Sequence, residues 1–375
     1  MIANSLVCYG ANNSMVDMII ELKEINIDVT VLLPGYGEIA AVLQDKKIKF
    51  YVLPYEYSTS VSISLSGKCQ KIFNNLLLLK DAKRIVKEQE IEIIHTNASN
   101  VDFGALLALM CHIPHVWHIR ELLKEDYNLK YDFPAVQAVL MHHADCRISI
   151  SKYVRQKRVY GNNVCTIYNG LEISKYRIHK TKLFSSKTNY ILYCGQISKE
   201  KGVMDAVKAI RKLVKLGYYN FKLDIVGESN AYSSRILDYI NMHGLDEYVM
   251  FHGHQKNMKP FRERADIAIM CSRSEALGRV TIESMLGECL VIGANRGGTL
   301  ELIRDGVTGY LYEAGNTNEL VQKILLVYRD TENSQKIVKA AQAFAVKNFD
   351  NRKYAEKVRR VYISCLERRS IDTYD

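Results

Sequence analysis

Two glutamates eight positions apart, Glu275 and Glu283, flank Gly278 in the stretch Ser272–Gly298, SRSEALGRVTIESMLGECLVIGANRGG. An apolar run, Ile267–Met270, precedes them and another, Leu290–Ile292, follows. That order predicts strand, loop, helix, strand, with the helix opening near Gly278–Arg279 and ending about Leu286. The first N–H groups of a helix have no partner inside it and sit at the positive end of its dipole. A helix entered through glycine can therefore hold a phosphate or diphosphate without a metal. An ionised carboxylate only accepts hydrogen bonds, so one on each side suits sugar hydroxyls.

The elements that must position these residues follow from an alternation of short apolar runs and amphipathic stretches. Strands are expected at Val29–Leu33, Phe50–Leu53, Ile91–His95, His115–His118, Cys146–Ile150 and Cys165–Ile167, with helices at Met15–Lys23, Cys69–Glu88 and Ala135–His143. The pattern restarts at Asn189–Cys194, followed by a helix over Gly202–Leu216 and strands at Lys222–Val226 and Val249–Phe251. Such alternation predicts an α/β architecture of two doubly wound parallel sheets, with ligands at the carboxyl ends of the strands, in a cleft between two units. The polar, aperiodic stretch Tyr176–Thr188 marks the boundary. It separates a domain over 1–178 from one over 188–350, and the amphipathic segment 351–375 is expected to pack back on the first.

A chain of 375 residues suits two domains of roughly 150 residues each. With 48% hydrophobic and 25% charged residues it is neither disordered nor fibrous. The nine cysteines are scattered, odd in number and free of C-x-x-C spacing, which points to a reducing, cytoplasmic setting and away from a zinc site. The N-terminus has no basic segment leading into a long apolar core, and the stretch Val101–Ile119 carries too many polar groups to span a membrane. The net charge of +10 favours anionic partners. No aromatic-plus-basic motif or recognition helix accompanies it, so nucleic acid is excluded as a partner.

Taken with its flanks, the E-x7-E pair resembles that of the retaining glycosyltransferases of family 4, which have the GT-B fold. Asn169–Glu172 (NGLE) is similar to the N-G-V-D turn of that family, and Gly195–Gly202 (GQISKEKG) to its G-R-L-x-x-E-K-G segment. Gly297–Glu301 resembles its G-G-x-x-E, and Asp305–Gly309 its D-G-x-x-G turn. The likeness is close over residues 165–330 and loose over 1–164. It implies two Rossmann-like domains and transfer of a sugar from a nucleotide diphosphate, UDP first, to a glycan or lipid-linked acceptor in cell-surface polysaccharide, lipopolysaccharide or capsule synthesis.

Roles then follow by resemblance. Glu275 would bond donor-sugar hydroxyls, Glu283 the ribose hydroxyls, and Lys201 the diphosphate. The backbone of Ala276, Leu277, Gly278, Arg279 and Val280 would meet sugar and diphosphate. His118 would approach the donor sugar, and His95 and Asn97 would line the acceptor side. Gly10 and Ala11, after the apolar run Leu6–Tyr9, would form a small-residue loop against the donor phosphate. Gln196 departs from the family, which has a second diphosphate-binding Arg there. Glu288 and Leu290 replace its common Gly and Pro, changes expected to affect packing. The first strand should begin earlier than Met1 allows, so either it is short or the true start lies upstream.

The reaction implied is same-face attack by the acceptor hydroxyl beside the departing diphosphate. With no D-x-D motif, neither a metal nor any other cofactor is expected. Basic residues from Lys68 to Lys87, around the apolar run Ile72–Leu79, suggest contact with an anionic membrane at its inner face, or else an ordinary amphipathic helix packed on the sheet. The rival readings are a non-catalytic nucleotide-sugar-binding protein, which Gln196 would suit, and a sugar-nucleotide epimerase of the same fold.

Overall fold

A computed structural model describes residues 1–8, 10–159 and 161–367. The chain forms two compact units, Met1–Leu171 together with the segment from Asn351 onward, and Glu172–Asp350.

In the second unit, near-continuous apolar runs become β9 (Asn189–Cys194), β10 (Phe221–Val226), β11 (Val249–Phe251), β12 (Ala265–Met270), β13 (Leu290–Ala294) and β14 (Tyr310–Tyr312). They pair in the order β11-β10-β9-β12-β13-β14, every pair parallel. Numbered from β9, this is the Rossmann order 3-2-1-4-5-6, whose winding reverses between β9 and β12. Runs of this kind are expected where helices cover both faces. The helix Val203–Lys215 buries Val203, Ala206, Val207 and Ile210 completely against that sheet.

The first unit contains β1 (Thr30–Leu33), β2 (Lys49–Val52), β4 (Ile94–Thr96), β5 (His115–Ile119), β7 (Cys146–Ser149) and β8 (Val164–Thr166). A two-residue antiparallel pair, β3 (Thr59–Ser60) and β6 (Lys130–Tyr131), lies apart from them. The parallel pairs β1-β2 and β4-β5-β7-β8 are joined through Ile2, which bridges Leu32 on one side and Thr96 on the other. The Ile2 N–H donates to the His95 carbonyl at 2.8 Å, and its own carbonyl accepts from Asn97 at 3.0 Å. The central strand position is thus held by residues 1–3. The winding reverses here too, between Ile2 and β4. The helix Asn351–Leu366 packs in this unit against the helix Gly10–Glu24, burying Val358, Val361, Tyr362 and Cys365.

Two sequence expectations need correction. The stretch 176–188 is not a free linker, because it is fastened along the second unit. The Ile178 amide donates to the Leu286 carbonyl, that of Lys180 to Glu288 at 2.7 Å and that of Phe184 to Asp266 at 2.7 Å. The chain instead passes between units at Leu171–Glu172 and again at Asp350–Asn351. Gly10 and Ala11 are not a loop but the first turn of the helix Gly10–Glu24. Leu6 and Val7 before them are exposed rather than part of a strand, and Tyr9 lies outside the described residues.

Gly202 begins the helix after β9 at φ +69°, where an added Cβ would lie 2.2 Å from the Cys271 carbonyl oxygen. Gly244, at φ +59°, faces open space. Gly244→Ala carries only the left-handed backbone penalty of about 1 kcal/mol, whereas Gly202→Ala adds an overpacking cost of about 1–3 kcal/mol. Thermal unfolding of the two variants is expected to show a drop in midpoint at least twice as large for Gly202→Ala.

Candidate active site

The loops leaving β9 and β12 meet at the winding reversal of the second unit. They are laced together: the Arg273 amide donates to the Glu200 carbonyl at 2.9 Å, and its guanidinium to the Lys199 carbonyl at 3.0 Å and to Asp205 at 3.2 Å. From below, the Tyr193 hydroxyl donates to the carbonyls of Gln196 (3.0 Å) and Lys201 (3.3 Å). Lys201 Nζ then reaches Glu275 Oε2 at 3.1 Å, and the Ser272 hydroxyl donates to the same oxygen at 3.1 Å. Both members of this pair are only partly buried.

The backbone of Glu275–Leu277 rests on two glycines. A Cβ on Gly297 would lie 2.5 Å from the Glu275 carbonyl oxygen, and one on Gly298 would lie 2.7 Å from Leu277 Cα. The Gly298 amide donates to the Glu275 carbonyl at 2.7 Å. Gly278 then turns at φ +97° into the helix Arg279–Leu286. Ala276, Leu277 and Gly278 are buried, and Arg279 and Val280 are half-buried at the helix start.

One turn further on, Glu283 is clamped between two arginines. Arg279 Nε donates to Oε1 at 3.0 Å, and the Arg262 guanidinium bonds Oε2. Both guanidinium groups lie over the Tyr176 ring, at 6.0 and 5.4 Å from its centre. Arg279 is therefore committed to Glu283 and to the Tyr176 hydroxyl, 3.3 Å away. Gln196 is exposed on the β9 loop. Ser272, Arg262 and Tyr176 carried no sequence signal of their own.

In the first unit a second polar cluster gathers at the carboxyl ends of β4 and β5. His118 is fully buried, with Nδ1 3.3 Å from His95 Nε2, and His95 Nδ1 is 2.6 Å from the Tyr362 hydroxyl. Burial holds both imidazoles well below their usual pKa, and the nearby Arg120 guanidinium adds to the effect. Neutral imidazole has one donor and one acceptor nitrogen, so the tautomer of one ring sets that of the other. His118 Nε2 is buried with no hydrogen-bond partner among the described residues. Asn97 donates to the Ala11 carbonyl at 3.3 Å and accepts from Arg120 Nε at 2.8 Å. Arg120 also reaches Asn169 (2.6 Å) and the Tyr354 hydroxyl (2.9 Å).

Gly10, Ala11, His95, Asn97 and His118 thus gather in one unit, and Lys201, Gln196, Glu275–Val280 and Glu283 in the other. His95 differs from expectation: both its ring nitrogens face inward partners, so it supports His118 instead of lining an open surface. Gly10 has open space where a Cβ would be, so this position does not demand glycine. Arg120 and Glu121 were also missed, although a charged pair directly after an apolar strand was a usable signal. Glu121 is buried, accepting from the Ser99 amide and hydroxyl at 2.6 Å each.

Comparison with known proteins matches the family described as Glycosyl transferases group 1 over residues 174–344 and Glycosyltransferase Family 4 over residues 9–175. An uncharacterised glycosyltransferase of Methanocaldococcus jannaschii is 26% identical, over 84% of this chain and 90% of that protein. The N-acetyl-alpha-D-glucosaminyl L-malate synthase of Bacillus anthracis is 25% identical over 54% of each chain. The lipopolysaccharide 1,2-N-acetylglucosaminetransferase of Salmonella typhimurium is 31% identical over 40% of this chain and 42% of its own. The match therefore spans about half or less of these last two proteins. Among solved structures, Anabaena HepE in complex with UDP-glucose has a TM-score of 0.79 at 21% identity, covering 97% of this chain and 98% of its own. A glycosyltransferase from Rickettsia africae has a TM-score of 0.81 at 21% identity, covering 98% and 97%. These two share the fold.

The buried imidazoles give a pH signature. His95 and His118 lie well below the usual value and burial takes His115 down to about 3. The unfolded chain binds protons at these rings below about pH 6.5 and the folded chain does not. Their contribution to stability is present above pH 6.5 and is lost as pH falls from there toward 3. Asp102, raised to about 6 by burial, opposes this over part of the range. In a proton NMR titration from pH 8 to 5.5 the resonances of these three imidazoles are expected to stay flat. A midpoint near 6.5 for any of them would contradict the geometry.

Proposed function

The chain belongs to the GT-B glycosyltransferases of family 4, and we propose that it transfers a sugar from a nucleotide diphosphate, UDP first, to a glycan or lipid-linked acceptor with retention at the anomeric carbon. The observation that carries this reading is the Lys201–Glu275 pair beside the start of the helix Arg279–Leu286, at the winding reversal of a Rossmann-order sheet. It puts a cation, a carboxylate and the positive end of a helix where a sugar diphosphate can span all three. Relatives whose names refer to lipopolysaccharide and capsular polysaccharide synthesis, and a same-fold neighbour holding UDP-glucose, support the acceptor and donor classes.

In this reading Glu275 accepts hydrogen bonds from donor-sugar hydroxyls, and the first-turn amides with Lys201 hold the diphosphate. The bond from the anomeric carbon to the diphosphate oxygen lengthens, and negative charge grows on that oxygen beside Lys201. Interactions that strengthen as this charge develops lower the barrier. The acceptor hydroxyl attacks from the same face. Its proton passes to the departing phosphate oxygen, and nucleoside diphosphate leaves. Glu283 keeps lone pairs for ribose hydroxyls while Arg262 and Arg279 fix its orientation. His118 is proposed to take part through Nε2, the nitrogen that has no partner among the described residues, with His95 fixing its tautomer. Helix end and lysine together supply the positive potential, so the reaction is proposed to run without a metal.

Thermal unfolding with UDP, GDP and ADP tests the donor site. A ligand at a hundred times its dissociation constant adds about 2.7 kcal/mol. UDP is expected to raise the midpoint of the wild type and to do so far less in Glu283→Ala. Glu275→Ala is expected to lower transfer from the matching UDP-sugar about 100-fold or more while leaving the UDP shift in place. Near wild-type transfer by Glu275→Ala would remove the site assignment. A UDP shift without turnover on any UDP-sugar would favour the non-catalytic reading.

A further inference from the structure

Lys201 stands near the end of the mostly polar loop Gly195–Gly202, and Gln196 near its start brings no charge. What this loop offers an anion therefore rests on where Lys201 sits. A polar loop has many shapes open to it, and holding one costs conformational entropy. Two side chains from outside the loop select its shape.

The first is Tyr193, the next-to-last residue of β9. Its ring is buried in the core together with Val203 and Ala206 of the helix Val203–Lys215. Its hydroxyl shares one proton between carbonyls near the two ends of the loop, Gln196 at 3.0 Å and Lys201 at 3.3 Å. Burial holds the phenol well above its usual pKa, so it remains a donor. The second is Asn230, in the loop after β10. Its Oδ1 caps the helix Ala231–Met242 by accepting from the Tyr232 amide at 2.9 Å, while its Nδ2 crosses to the Ile197 carbonyl at 2.8 Å. Arg273 holds the Lys199 and Glu200 carbonyls from the loop after β12. Carbonyl oxygens tied in this way keep their partial negative charge off a phosphate, and Lys201 Nζ is set on Glu275 Oε2.

We infer that Tyr193 and Asn230 are positioning residues for the diphosphate end of the donor site, acting through the loop that sets Lys201 against Glu275. Packing alone does not require either polar group. A phenylalanine at 193 fills the same core, and a serine at 230 still caps the helix. What both would lose is the bond to the loop. The inference deepens the donor-site reading and rests on it for the identity of the anion.

The test compares the full chain with Tyr193→Phe and Asn230→Ser. Without nucleotide, acetylation of Lys201 by acetic anhydride is followed by mass spectrometry, with exposed Lys208 as the internal reference. Both variants are expected to loosen Lys201 and raise its labelling several-fold. With nucleotide, the dissociation constants of UDP and uridine are measured. UDP is expected to bind about tenfold more weakly to each variant, the effect of leaving a loop carbonyl without its donor, and uridine, which lacks the diphosphate, to stay within about twofold. Gly244→Ala, destabilised away from this loop, is expected to move neither readout, which separates positioning from general loss of stability. Labelling of Lys201 at the wild-type rate in both variants overturns the inference, and so does a UDP-to-uridine ratio that keeps its wild-type value. If Tyr193→Phe does not fold, Asn230→Ser carries both readouts. Failure of the wild type to bind UDP would overturn the donor-site reading instead, and the labelling would still decide whether these two side chains place Lys201.

Discussion

The site in the second unit depends on a backbone contact with no room for a side chain. Gly297 and Gly298 lie directly against Glu275, Ala276 and Leu277, and any Cβ there would fall 2.5–2.7 Å from main-chain atoms. Because the two segments touch, the Glu275 carbonyl is tied to the Gly298 amide, and the carboxylate is left facing Lys201. The same contact delivers the chain to Gly278, whose left-handed turn sets where the helix begins. Bulkier residues at 297 or 298 would displace the carboxylate, the helix start and the cradle between them together. A loop that had to order itself around a diphosphate would spend binding energy on that ordering, and this one is held before any ligand arrives.

A comparable economy holds in the first unit, built from different parts. There the polar groups are buried and answer one another across long sequence distances. Arg120 joins Asn97, Asn169 and Tyr354, while His95 joins His118 and Tyr362. Tyr354 and Tyr362 both come from the helix Asn351–Leu366, so the last described helix of the chain fixes side chains at the ends of β4 and β5. Its role is not confined to covering apolar surface. A buried polar network of this kind is rigid when every member is satisfied. Among the described residues His118 Nε2 is left without a partner in this network, and there a ligand has much to gain.

Much of this could be read in the sequence, and the reasons differ by element. Strands flanked by helices on both faces are apolar along their whole length, so Asn189–Cys194 and Val249–Phe251 stand out to the residue. The helix Val203–Lys215 shows in the spacing of its buried positions. Short elements do not show. Tyr310–Tyr312 has three residues, and the Thr59–Ser60 and Lys130–Tyr131 pair has two per strand, too few for a period to register. The central strand of the first unit rests on Ile2, where no run of residues exists to be seen. Within the site, Glu275, Gly278 and Glu283 were legible through their local spacing, and Lys201 through the resemblance of Gly195–Gly202 to a family segment. Partners brought in by folding were not, since no spacing links Tyr176 and Arg262 to Glu283, or Tyr362 to His95.

Glu288 shows how a departure from a family pattern can be absorbed. It stands where the resembling sequences have glycine, and it keeps the glycine-like backbone at φ +51°, a strain of about 1 kcal/mol or more for a residue with a Cβ. Its carboxylate is wholly buried, which would be costly if unpaired. It is paired three ways: the Lys180 amide donates to one oxygen at 2.7 Å, Lys339 Nζ to the other at 2.5 Å, and His179 lies 3.6 Å from the latter. Lys180 and His179 belong to the segment that leads into β9, and Lys339 to the helix Thr331–Asn348. A glycine would relieve the strain and release both. The substitution therefore exchanges local backbone comfort for a buried anchor. That anchor fastens the entry to β9, and with it the loop that carries Lys201, just beyond the end of the helix that begins at Arg279.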